Sequence, residues 1–182
     1  RSKTSSRSRA MLRIANRSTT SYVGAFDSVT IEDGKIILLS DPAINTDNNF
    51  GRMTGIINNA IDVARFGLGI KKPRIAILSA SESPTAAIPS TLQAESLARR
   101  HWPNAIVSGP LSLDLATDDL SLSMKGLPDV PNAKEVAGKA DILICPNIEA
   151  ANILYKSISC QIRYGQASIA GIGVGFDVSF AI

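Results

Sequence analysis

The chain has 182 residues, 45% apolar and 19% charged, enough to bury the core of one domain and too apolar for disorder or a coiled coil over most of its length. Its formal charge of +3 is unevenly placed: residues 1–26 hold six cations (Arg1, Lys3, Arg7, Arg9, Arg13, Arg17) and no acid, leaving 13 cations and 16 acids, a balance of −3, for the rest. Basic character is thus a property of one segment, and an aromatic content of 5% argues against a single-strand nucleic-acid binder, which needs stacking platforms.

That opening Arg- and Ser-rich segment superficially fits a transit peptide, but a solvated leader or linker is the favoured reading. Residues 1–26 are therefore set apart from an α/β domain over 27–182. The run KIILLS (35–40), ending at Asp41-Pro42, predicts a buried strand and a turn. Met53, Ile56, Ile57, Ala60, Ile61 and Ala64 recur at helical spacing, with Gly67 and Gly69 closing that helix. RIAILSA (74–80) is the second strand. Ser90-Thr-Leu-Gln93 has the form of a capping box and predicts a helix from there to His101, stopped by Pro103.

AIVSG (105–109) is the third strand, with Pro110 placed to begin a helix at the position that needs no N–H. Residues 125–133, with two prolines and a glycine, read as a loop. DILICP (141–146) is a fourth strand, of the continuous apolar kind expected when both faces are covered. IEAANILYKSI (148–158) is helical, and residues 168–175 and 178–182 read as fifth and sixth strands. The alternation predicts right-handed βαβ units in a layered α/β/α domain with a mostly parallel sheet.

In such sheets ligands bind beyond the carboxyl ends of the strands. The three strand ends there are polar: Ser79, Ser81, Glu82 and Ser83 follow the second strand; Ser108, Gly109, Pro110, Ser112 and Asp114 the third; Asn147, Glu149 and Asn152 the fourth. Such a set can hold an oxyanion through hydroxyls and main-chain amides, and equally can be caps and turns. Metal binding has no support, with one His, two separated cysteines and only Asp118-Asp119 as adjacent acids. The G-x-G-x-G of residues 171–175 lacks the last glycine and following helix of a dinucleotide fingerprint. Cys145 and Cys160 suit a reduced interior pair and a cytoplasmic protein, and no apolar run is long enough for a membrane span.

The stretches SGPLSLDLA (108–116) and ADILICPNIEAANILYK (140–156) resemble two signatures of the phosphate acetyltransferase and phosphate butyryltransferase family, close to D-G-P-L-x-x-D-x-A and A-D-I-L-x-x-P-x-I/L-E/N-x-G/A-N-x-L-x-K. RIAILSASES (74–83), IPSTLQAE (88–95) and DPAIN (41–45) resemble the butyryl-type branch. The resemblance implies the layered fold shared with isocitrate and isopropylmalate dehydrogenases, a homodimer, and transfer of an acyl group between coenzyme A and inorganic phosphate, with coenzyme A as substrate and no bound cofactor. It assigns Ser79, Ser81 and Ser83 to the phosphate or acyl-phosphate site. Gly109, Pro110, Asp114, Asn147, Glu149, Asn152 and Lys156 would shape the cleft: Glu149 by ordering a helix N-terminus, Asn152 as a cleft contact or a packing hydrogen bond, Lys156 by meeting phosphate or lying along the surface.

Three departures accompany the match. Ser108 stands where the family has Asp, SPTAAI (83–88) lacks the lysine common in butyryl-type sequences, and the family's L-S/T-R-x-D segment would follow the strand at Ile182. The chain is therefore expected to be the middle of a phosphotransacylase. The alternatives are a non-catalytic acyl-CoA or phosphate-ligand binding module and, more weakly, a dehydrogenase. Nucleic acid and membrane are not expected partners.

Overall fold

The computed structural model describes residues 21–27, 36–162, 169–174 and 179–181. Seven strands form one sheet: β1 (Ser21–Asp27), β2 (Ile36–Ser40), β3 (Arg74–Leu78), β4 (Ile106–Leu111), β5 (Ile142–Ile144), β6 (Ile169–Val174) and β7 (Ser179–Ala181), in the spatial order β4-β3-β5-β2-β1-β6-β7. The helices are α1 (Phe50–Asp62), α2 (Pro89–Ala98), α3 (Leu113–Thr117), α4 (Asp119–Lys125), α5 (Ala133–Val136) and α6 (Ile148–Ile162). Strands β4, β3, β5 and β2 are mutually parallel, whereas β1, β6 and β7 extend the sheet through antiparallel pairs.

The parallel strands are apolar on both faces because both are covered. Leu38, Ile75, Ile77, Val107, Ile142 and Ile144 pack under α1 and α2 with Met53, Ile57, Ala94 and Leu97. Ile37, Leu39, Ala76, Leu78, Leu111 and Leu143 pack on the other side with Leu115, Ala116, Val136 and Ala151, from α3, α5 and α6. Successive residues of one strand thus feed two cores, as the two-residue period of a strand requires. Arg74 and Asp141 lock the start of β3 to that of β5. The guanidinium donates from Nε to Oδ2 at 3.0 Å and from its terminal nitrogen to Oδ1 at 2.9 Å, while the Arg74 main-chain N–H reaches Oδ2 at 2.8 Å.

Several boundaries differ from the sequence reading, each for a local reason. Strand β1 was not assigned from sequence, and it crosses the division placed between residues 26 and 27; it exists through pairing with β2 and β6, both remote in sequence. The predicted capping box does not form. Ile88 is the N-cap of α2 and Pro89 its first residue, while the Ser90 hydroxyl turns to Ser79 and the Gln93 amide donates to the Asn48 carbonyl at 2.7 Å. Pro110 does not open a helix: it lies inside β4 behind a cis peptide bond, and the helix begins at Leu113 with Ser112 as N-cap. Part of residues 125–133 remains a loop, with α5 starting at its last position. The predicted ends at residues 168, 175, 178 and 182 lie outside the described residues.

Candidate active site

The connection after β3 leads to α2 on one face of the sheet, and the connection after β4 leads to α3 and α4 on the other. Two adjacent parallel strands whose chains depart to opposite faces leave a crevice between their carboxyl ends. A cavity of about 420 Å³ sits there, lined by Glu82, Ser83 and Pro84 from the loop after β3, Leu115 from α3, and Lys125, Gly126, Pro128 and Asp129 from the end of α4 and beyond. Its size is in the ordinary range for a small-molecule site.

Two hydrogen bonds tie the walls together. The main-chain N–H of Ser112 donates to Glu82 Oε1 at 2.9 Å, joining the β3 and β4 loops. Partial burial disfavours the Glu82 carboxylate, but the hydrogen bond from Ser112, its own main-chain N–H and the charge of Lys125 together outweigh that cost and hold its carboxyl below the usual range. Beneath it, the Ser79 N–H donates to the Leu111 carbonyl at 2.8 Å, and the hydroxyls of Ser79 and Ser90 lie 2.9 Å apart. Gly109 lets β4 approach β3, since a Cβ there would stand 2.9 Å from both Cβ and the carbonyl oxygen of Ile77.

At the rim, Lys125 Nζ donates to Asp114 Oδ2 in an ion pair between two partly exposed side chains. That hydrogen bond pulls the Asp114 carboxyl down to about 2, and raises the Lys125 ammonium above its ordinary value. Helix α4, which delivers Lys125, has no buried residue. It is started by Asp118, whose carboxylate accepts from Leu120 N at 3.1 Å and Ser121 N at 3.0 Å, and it ends at Gly126, whose φ of 81° favours glycine.

The predicted residues divide between this cavity and the scaffold around it. Ser83 lines the cavity. Ser81 stands beside it and accepts from the Ser83 N–H at 3.1 Å, shaping the loop. Ser79 is buried beneath, and Asp114 holds Lys125 at the rim. Asn147 caps α6, accepting from Ala150 N at 2.8 Å. Glu149 is exposed in the first turn of α6, where a carboxylate complements the helix dipole. The Asn152 amide donates to the Pro42 carbonyl at 3.0 Å. Lys156 is exposed, its ammonium 5.7 Å from the ring centre of Tyr155.

Sequence reasoning read Lys125 as part of a loop and Asp41-Pro42 as a turn, and singled out neither Lys125 nor the contacts that fix the loop after β2. There Asp41, nearly fully buried, accepts from Ala43 N at 3.1 Å and Asn45 N at 3.1 Å, while the Asn48 amide donates to the Pro146 carbonyl at 3.1 Å. The D-P-A-I-N string was the available signal, since an Asp that begins a turn collects the following N–H groups. Among the described residues no cluster of three or more His, Cys, Asp or Glu could hold a metal ion, and no helix is long and apolar enough to cross a membrane.

The fold and crevice define an α/β protein with a cavity at the carboxyl edge of a parallel sheet. The sequence pattern of the family described as Phosphate acetyl/butaryl transferase matches residues 2–182, and the chain belongs to that family. It is 38% identical over 149 residues to the phosphate acetyltransferase of Rickettsia prowazekii, covering 79% of this chain and 40% of that protein. It is 35% identical over 145 residues to the phosphate butyryltransferase of Clostridium acetobutylicum, covering 78% and 46%. A crystal structure of a branched-chain phosphotransacylase from Enterococcus faecalis V583 superposes with a TM-score of 0.77 at 34% identity, covering 90% of this chain and 56% of that one. The chain thus spans about half the length of the relatives it matches.

Proposed function

We propose that this chain is part of a phosphate acyltransferase that interconverts acyl-CoA plus phosphate with acyl phosphate plus coenzyme A, acting as a cytoplasmic homodimer. The family match over residues 2–182 carries this reading. The cavity supports it, because acyl transfer to phosphate requires two polar reactants held together at one site and no covalent nucleophile. Ser81 and Ser83 are assigned to the phosphate side, with Gly109 and Pro110 setting the floor through close β3–β4 packing, and Asp114 to the rim. Asn147, Glu149, Asn152 and Lys156 belong to the start and flank of α6 beside the edge, where Asn147 caps the helix and Asn152 ties it to the β2 loop.

In the forward direction a phosphate oxygen attacks the thioester carbonyl, and the tetrahedral oxyanion collapses to expel the CoA thiolate, which takes a proton. Residues named here bind, orient and screen charge. The test is phosphate-dependent release of coenzyme A from butyryl-CoA and acetyl-CoA by the protein that carries this sequence. Turnover that requires phosphate supports the reading, and its absence removes it.

One observation favours the binding module as a second reading. Ser108, in place of the family's Asp, is fully buried with its hydroxyl unpartnered among the described residues, so no charge acts from that position. Calorimetric titration with coenzyme A separates the two readings, since a module binds without turnover.

A further inference from the structure

Two of the main-chain amides expected to cradle an anion at the edge are already engaged. The main-chain N–H of Ser83 serves Ser81, that of Ser112 serves Glu82, and the hydroxyls of Ser79 and Ser90 lie within hydrogen-bond distance of each other. Those two amides therefore have little to offer a phosphate, and a charged partner must come from elsewhere in the lining. Of the described residues lining the cavity, Lys125 is the sole cation, and it shares that lining with Glu82 and Asp129 while pairing with Asp114 at the rim. An ammonium carries three N–H donors. Asp114 takes one of them at the rim, where both side chains remain partly exposed and the released carboxylate can be solvated. A dianion attracts that ammonium more strongly than a monoanionic carboxylate does.

We propose that Lys125 is the cation that meets the phosphate group of the substrate in the cavity, and that Asp114 is an internal competitor which holds the ammonium until the substrate takes it. This rests on the reading of the cavity as the acyl phosphate site and adds the residue that recognises the anion and the residue that opposes it. Helix α4 suits such an exchange. It has no fully buried residue, only Leu122 rests against the core, and it ends at Gly126, so the exposed Lys125 side chain can shift at the helix end. The opposing carboxylate also disfavours weak monoanions, giving selectivity for a doubly charged group.

The experiment is titration of the chain with inorganic phosphate and, separately, with coenzyme A, for the wild type, Lys125→Gln, Lys125→Arg and Asp114→Asn, with thermal unfolding as a check of folding. The proposal expects Lys125→Gln to weaken phosphate binding about tenfold or more, Lys125→Arg to restore most of it, and Asp114→Asn to tighten it severalfold, in line with about 1.4 kcal/mol per factor of ten. Wild-type affinity in Lys125→Gln, or weaker binding in a folded Asp114→Asn, overturns the proposal while leaving the acyltransferase reading in place. Failure of the wild type to bind either probe overturns both.

Discussion

Glu82 and Ser112 lie thirty positions apart, yet a hydrogen bond of 2.9 Å between carboxylate and main-chain N–H joins the two loops beside the cavity. Replacing Glu82 by Ala removes a charge-assisted acceptor and leaves the Ser112 N–H to find water, at a cost of about 1 kcal/mol given the partial exposure. The larger effect is expected at the site, where the β4 loop loses its register against the β3 loop. Urea unfolding should show a small shift, while affinity for phosphate or coenzyme A should fall by more than that shift accounts for.

The Asp114–Lys125 pair gives a pH dependence of known sign. The Asp114 carboxyl is depressed from 3.8 to about 2, so its contribution to stability is complete above pH 4 and is lost as pH falls towards 2. Thermal unfolding of the wild type and of Asp114→Asn should therefore differ at pH 6 and converge near pH 2. The difference should shrink in high salt, because both side chains are partly exposed.

Arg74 and Asp141 stand at the opposite, amino edge, and their loss should act on the fold rather than the site. Asp141 is almost completely buried, with two guanidinium contacts and the Arg74 N–H. Asp141→Ala is expected to cost about 3 kcal/mol, because it leaves the Arg74 charge and a main-chain donor without their acceptor. Equilibrium denaturation measures this directly. Asp141→Asn, which keeps an acceptor oxygen, should recover part of the loss.

Cys145 follows β5, and burial pushes its thiol up to about 12. In native protein at pH 8 it should resist iodoacetamide and react only on unfolding. Peptide mapping of the alkylated position checks this; rapid native labelling at Cys145 would contradict the burial.

The parallel half of the sheet was legible in the sequence because Ile37–Leu39, Ile75–Leu78 and Ile142–Ile144 are apolar at every position, which only a strand covered on both faces requires. Strand β1 was not, because Gly24 and Ala25 weaken its local signal and its partners lie far along the chain. The polar edge was legible as composition but not as connectivity. Whether Ser90 caps α2 or meets Ser79 depends on a contact across the loop, and Lys125 reaches Asp114 only because α3 and α4 fold back on one another. Pro110 obeyed neighbouring-strand pairing over its local preference for a helix start.

The most direct test of the carboxyl-edge site is backbone amide chemical-shift mapping on titration with coenzyme A and inorganic phosphate together. The account predicts that perturbed amides cluster at residues 82–85, 111–115 and 125–129, around the cavity. Perturbations confined to the amino edge, at residues 71–74 and 99–102, would contradict it.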